Sequence, residues 1–515
     1  MRAMSRLPPI SVVTGGLDGA YGDSGAVVSL IRQTAWAAAA TVVISVSRFA
    51  LAAILARRLS MDLFGKFAFA QWLVDVVFLA CSLGVTGVLA RYVAEYRHDA
   101  HMASAMIRRA LPFAMGLPLV AGIVVIAGVK LSDVALSAED LAALGVWTVA
   151  NGAWAMQTAV LTGSQRFDLM LVANALAAAV MLGGALLVPS TVMSPATLFV
   201  CMAAAAAAGT TVGLRSTLGL IGVVPSSVDR RQSLAIRRYA FNIWVTALLW
   251  SFVWSRGELP VVLATLGEAG VAQYSVALAL FGAAIQCAML PVAAAGPQLT
   301  RLWGEGSHEA AVALARQFLD TQLLVCGFAA IASICLGPEL IAWVFGGGYR
   351  DQAYTLAILA IGLLSMSVSS QSHLLQIASD GRFTRNATFA GLVVLLCVSV
   401  WAIPALGLPG AAVARVSTMV IVAAVTLHFA RTRWGKGTFS LGNVAAASLT
   451  VAGSAALVLA WQDLHWYVRA GLAAVAASIL IAAIRAPSGR TQTGVVGRFV
   501  RKRLFGQAAA PRKAG

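Results

Sequence analysis

Apolar stretches of about 20 residues alternate with short polar gaps fourteen times along the chain, at 34–56, 67–90, 111–129, 141–163, 169–188, 196–214, 239–264, 271–295, 318–336, 353–378, 387–406, 411–429, 444–461 and 466–484. At roughly 1.5 Å per residue, each reaches across the roughly 30 Å hydrocarbon layer of a bilayer. Backbone groups in lipid must be satisfied within the segment, so the stretches predict helices. The expected fold class is an all-α polytopic membrane protein of about 14 transmembrane helices.

The gaps alternate in charge. Of the 37 Lys and Arg residues, 28 lie in the even-numbered gaps and the two tails, 5 in the odd-numbered gaps, and 4 inside the stretches. Cationic loops resist translocation, which predicts a cytoplasmic location for the rich side and for both termini. In a bacterium this is the inner membrane. A cysteine at Ser137 should therefore react with an impermeant thiol reagent from outside, whereas one at Ser227 should react only after permeabilisation. Labelling of both from one side would contradict the helix count.

Composition agrees with this reading: 60% of residues are apolar and 11% charged, too little polar surface to cover a soluble globule of this length. The net charge of +17 is spread over many short gaps, none of which resembles a folded nucleic-acid reader, so no nucleic-acid partner is expected. Anionic lipid beside the cytoplasmic gaps accounts for it. Residues 1–31 have no continuous apolar core ahead of a cleavage-like site, so no removable signal peptide is expected. The cysteines Cys81, Cys201, Cys287, Cys326, Cys335 and Cys397 fall inside stretches without disulfide or metal spacing. No cofactor, metal or catalytic constellation is legible, and the Gly346–Gly348 run reads as a turn, with no strand before it.

The chain also repeats itself. Arg91, Glu95, His98, Asp99 and Ala100 recur as Arg301, Glu305, His308, Glu309 and Ala310, an offset of 210. Ser47 and Arg48 recur as Ser255 and Arg256, an offset of 208, and Arg166 and Phe167 recur as Arg382 and Phe383, an offset of 216. Three landmarks in one order at nearly one offset imply two homologous six-helix lobes in a V-shaped arrangement. Six is even, so the repeat is parallel, about an axis along the bilayer normal. The expected organisation is an N-terminal tail at 1–32 without fixed structure, a first lobe at 33–223, a cytoplasmic linker at 224–238, a second lobe at 239–430, and two additional helices with a basic tail at 431–515. Two lobes that rock about a central cavity imply a transporter.

Charges within the stretches nominate the site. Arg48 lies about 14 residues into its helix, where an Arg costs on the order of 3 kcal/mol to insert, and Arg256 is its counterpart in the second lobe. Together they form a cationic lining suited to an anionic ligand. Asp75 and Glu258 are candidates either for pairing with these arginines or for carrying a coupling ion, a proton or sodium. Arg415, near the end of its helix, is read as structural, its side chain snorkelling to the interface. The polar run of Ser365, Ser367, Ser369, Ser370, Gln371, Ser372 and His373 either lines the cavity or bonds between helices. Arg57, Arg58 and Lys66, three of the five positives on the charge-poor side, either receive a ligand's phosphates on release or anchor the interface.

The segments LARRLSMDLFG (55–65), PQLTR (297–301), GPELIAWVFG (337–346) with Tyr349 and Ala353, and LPGAAVA (408–414) together resemble the polysaccharide-biosynthesis flippases of the multidrug/oligosaccharidyl-lipid/polysaccharide exporter superfamily, over residues 30–430. The resemblance implies a two-lobed flippase that moves a polyisoprenyl-pyrophosphate-linked oligosaccharide across the inner membrane for O-antigen, capsule or exopolysaccharide assembly. It is not an enzyme on this reading. Arg suits pyrophosphate because its planar fork donates two hydrogen bonds and keeps its charge. The related lipid II flippases carry an Arg-Asp pair six and seven residues beyond the first-helix Arg, where Ile54 and Leu55 stand here, which argues against a peptidoglycan precursor. The alternatives are a multidrug exporter of the same superfamily and an integral membrane glycosyl polymerase or ligase. The paired arginines disfavour the first, and the absence of a long external loop disfavours the second.

Overall fold

The computed structural model describes residues 24–96, 99–131, 134–226, 229–379, 382–435, 441–460 and 465–485. Among them there is no strand, and there are sixteen α-helices. These are α1 (Ser24–Arg58), α2 (Met61–Cys81), α3 (Val85–Glu95), α4 (Ala100–Leu131), α5 (Ala138–Gly163), α6 (Phe167–Leu187), α7 (Pro195–Ile221) and α8 (Arg230–Ser251), followed by α9 (Leu259–Gly304), α10 (His308–Phe345), α11 (Ala353–Gly362), α12 (Ser369–Ala378), α13 (Arg382–Leu406), α14 (Leu408–Trp434), α15 (Leu441–Ala460) and α16 (Trp466–Arg485). Apart from short breaks, the described residues of the fourteen apolar stretches are helical. Ten helical runs among the described residues are long and apolar enough to cross a membrane.

Helix starts carry their signals. Ser60 and Ser194 accept from the backbone N–H three residues on, and Ser137 with Asp140 and Asp229 with Gln232 form capping boxes, satisfying N–H groups that have no partner inside the helix. Asp140 also accepts from the Ala196 N–H at 2.7 Å, tying the start of α7 to that of α5. The Asp229 cap starts α8 at Arg230, well before the apolar stretch at 239, so most of the expected linker is helix. Likewise α1 begins at Ser24, and the backbone of 24–32 is helical rather than unstructured; residues 1–23, His98, Ser227 and the tail beyond Arg485 lie outside the described residues.

The helical backbone breaks both within and between the stretches. The second breaks at Leu83 and Gly84, both left-handed; Gly84 is required there, since a Cβ would sit 2.3 Å from the Ala240 carbonyl oxygen. Gly267, with φ 69°, separates the seventh stretch from the eighth within α9. The tenth divides into α11, a 3-10 segment Leu363–Val368, and α12. Its polar run serves that break: Ser367 and Ser369 donate to the Leu364 and Met366 carbonyls, and Gln371, fully buried, donates to the Ala315 carbonyl of α10 at 2.9 Å.

Helix pairings recur along the chain. α2 packs on α4, α4 on α5, α5 on α7 and α6 on α7; in the second half α9 packs on α10, α10 on α11, α11 on α14 and α13 on α14. Helices α15 and α16 both lean on α10, where Arg469 meets Glu339 at 3.5 Å and Asn443 donates to Asp320 at 2.9 Å.

The halves meet at their charge-poor end. Phe49 and Phe345 make an edge contact at 5.7 Å, as do Phe64 and Tyr349 at 6.4 Å. Lys66 pairs with Glu268 at 3.6 Å, and α2 and α9 approach so closely at Gly65 that a Cβ there would sit 1.9 Å from the Glu268 carbonyl oxygen. Arg57 donates to the last-turn carbonyls of α10, Val344 at 2.9 Å and also Trp343. Arg58 donates to the Ala185, Leu186 and Val188 carbonyls at the end of α6, and Lys66 also reaches the Ala135 carbonyl. Arg57 and Arg58 thus cap helix C-termini, where orphan carbonyls attract positive charge, while Lys66 ties α2 to the loop before α5. A second seam joins α2 and α3 to α8, through Trp244 to the Ala80 carbonyl at 2.9 Å and Arg91 placed 4.4 Å over the Tyr239 ring.

Candidate functional site

Arg256 is presented by a turn that the apolar pattern does not announce. After Ser251 the helix widens into a π turn, Phe252–Arg256, closed by the Gly257 N–H on the Phe252 carbonyl at 3.2 Å. Such single turns recur at functional sites because they rotate a side chain out of the helical register. Arg48 lies instead in the unbroken α1 and is exposed.

Arg48, Asp75 and Arg256 come together. Asp75 lies within electrostatic reach of both guanidiniums, with the Asn151 amide beside it, and Arg256 senses Arg48 in turn. Among the described residues no carboxylate closes to salt-bridge distance on Arg48 or Arg256, so Arg48 and Asp75 are neighbours without a direct ion pair. Arg48, Gln71, Asp75, Asn151, Trp147 and Trp154 line a cavity of about 20 Å³, room for a water molecule. Two cations face one acid here, leaving a local excess of positive charge. If Asp75 serves to offset that repulsion, Asp75→Asn should reduce the amount of folded protein in the membrane and Arg48→Gln should recover it. Normal amounts of Asp75→Asn with transport lost would instead assign Asp75 to a coupling ion.

Glu258 is engaged elsewhere. Its carboxylate takes a bidentate pair from Arg415, Nε to Oε1 and Nη2 to Oε2, both at 2.7 Å, and a hydrogen bond from the Tyr274 hydroxyl at 2.5 Å. Glu258 and Tyr274 are fully buried and Arg415 is 2% exposed. Snorkelling therefore does not describe Arg415: its side chain turns inward to a carboxylate 157 positions earlier. No group of three or more His, Cys, Asp or Glu among the described residues suits a metal ion.

No protein-family model matches the chain, and no curated protein matches it by sequence. Solved structures match by fold. The lipid II flippase MurJ in an inward closed conformation is 13% identical, with a TM-score of 0.65 over 88% of this chain and 99% of that one. An inward-facing multidrug resistance MATE family transporter of the MOP superfamily is 16% identical, with a TM-score of 0.60 over 76% and 94%. The chain has the fold of the MOP transporters. A MOP superfamily transporter from Pyrococcus furiosus, whose binding pocket is described as reversed in polarity, is 15% identical with a TM-score of 0.54 over 81% and 95%. An outward-facing multidrug resistance MATE family transporter is 17% identical, with a TM-score of 0.55 over 78% and 94%.

Proposed function

We propose that the protein is an alternating-access flippase of the inner membrane that carries a polyisoprenyl-pyrophosphate-linked oligosaccharide from the cytoplasmic to the outer face for polysaccharide assembly. The observation that carries this reading is that Arg48 and Arg256, one from each half at matching positions of the repeat, share the neighbourhood of Asp75, while among the described residues no carboxylate stands at salt-bridge distance from either. A doubly charged pyrophosphate fits two guanidiniums better than a cationic drug does, since a drug would meet repulsion there. The recurring helix pairings support two homologous lobes, and fourteen crossings with both termini cytoplasmic follow from the charge alternation. On this reading the closed charge-poor end is the outer face, and the protein awaits substrate from the cytoplasm.

Reconstitution tests the substrate. In proteoliposomes holding a fluorescent polyisoprenyl-pyrophosphate saccharide, the protein should expose the sugar of inner-leaflet lipid to an external lectin, and a cationic dye should not be moved. Dye transport with no lipid movement would replace this reading with the multidrug exporter.

A further inference from the structure

The π turn that carries Arg256 is held from outside its own helix. A π turn moves each hydrogen-bond partner by one residue, so carbonyls at its edges are left with donors poorly placed. Arg415 of α14 supplies donors: Nη2 reaches the Ser255 carbonyl at 2.7 Å and Nη1 the Val253 carbonyl at 3.4 Å. The same guanidinium grips Glu258 just past the turn, and Tyr274 of α9 pins that carboxylate while its hydroxyl lies 3.4 Å from the Ala411 carbonyl of α14. A buried ion pair is a poor stabiliser compared with apolar packing of equal volume. What it does here is geometric: one planar fork joins a carboxylate and two turn carbonyls, which a lysine ammonium cannot do. At Arg48, α1 runs straight through and needs no such brace.

We propose that Arg415 is a positioning residue for substrate binding: with Glu258 and Tyr274 it splints the turn at 252–256 and so aims Arg256 into the site between the halves. This rests on the reading of Arg256 as an anion ligand. Substrate affinity then depends on Arg415 although Arg415 never touches the substrate.

Two measurements on purified full-length protein in nanodiscs test it. In the first, with the native cysteines replaced, Arg256→Cys and Arg48→Cys report thiol labelling rates. Adding Tyr274→Phe or Arg415→Lys should change the rate at 256 about tenfold and at 48 by less than about twofold. Equal rates at 256 with and without the splint would overturn the proposal. Tyr274→Phe removes one hydroxyl only and keeps this arm open if Arg415→Lys folds poorly. The second titrates inorganic pyrophosphate by calorimetry. Arg415→Lys should weaken binding about tenfold, and the exchange Glu258→Arg with Arg415→Glu should recover protein amount without recovering affinity, since a carboxylate at 415 donates nothing to Ser255 or Val253. Recovered affinity in the exchange would reduce Arg415 to a plain ion-pair partner and sink the proposal. No pyrophosphate binding by the parent protein would count against the anion reading itself, and the labelling arm would still decide the splint.

Discussion

Transport should fall on the order of a hundredfold in Arg48→Ala and equally in Arg256→Ala, while the amount of each protein in the membrane stays near that of the parent. Truncating a charge that grips an oppositely charged partner typically costs about 2–5 kcal/mol, and a hundredfold corresponds to about 2.7 kcal/mol. Folding should be spared because neither guanidinium closes on a carboxylate among the described residues, so removal leaves no buried acid without its partner. Lysine at either position should recover part of the rate, since it restores the charge but not the fork. Flipping assays on equal amounts of reconstituted protein check this. Unchanged transport in the alanine variants would remove these residues from the site, and loss of the protein from the membrane would make them structural.

Gly65→Val should wedge the charge-poor end apart. With the Glu268 carbonyl oxygen 1.9 Å from where a Cβ would stand, the obstacle is backbone on a neighbouring helix and cannot rotate away. Overpacking of this kind costs about 1–3 kcal/mol, and a shift of that size moves a two-state equilibrium by about 5–150-fold. The population should move toward the outward-open state, in which Arg57 has released the end of α10 and Phe64 has left Tyr349. Impermeant thiol labelling at Tyr349→Cys, a site that is 4% exposed in the closed form, should become several-fold faster from outside, and transport should drop. Unaltered labelling with normal transport would show that this face does not have to close at Gly65.

The helical fold was legible because two signals survive without any tertiary knowledge: apolar length, which lipid enforces, and the side on which cations accumulate. The repeat was legible for a related reason, because matching landmarks near one offset persist even where their surroundings differ, and it singled out Arg48 and Arg256 before their proximity was visible. Other features left no such trace. The break in the second stretch lies in sequence that stays largely apolar, and at the tenth the serines near 367 read as lining a cavity or bonding between helices, whereas Ser367 and Ser369 bond to carbonyls of their own turn. The π turn at 252–256 has no distinct composition. Arg415 and Glu258 are 157 positions apart, and each taken alone reads as an expensive intramembrane charge. Position along α14 suggested snorkelling for Arg415; the direction of its side chain is set by neighbours on α9 and by the turn before it. For Arg57, Arg58 and Lys66 the sequence left phosphate release and interfacial anchoring both open, and it could not show the carbonyls at the ends of α10 and α6 and at Ala135 to which they donate.

The most direct test is made in cells. On removal of the protein, polyisoprenyl-pyrophosphate-linked oligosaccharide should accumulate with its sugar on the cytoplasmic leaflet, protected in intact spheroplasts from an impermeant glycan-oxidising reagent and exposed to it in inverted vesicles. The parent protein should clear that pool, and Arg48→Ala or Arg256→Ala should not. A lipid-linked pool that keeps its normal size and sidedness, together with altered sensitivity to cationic drugs, would contradict the account.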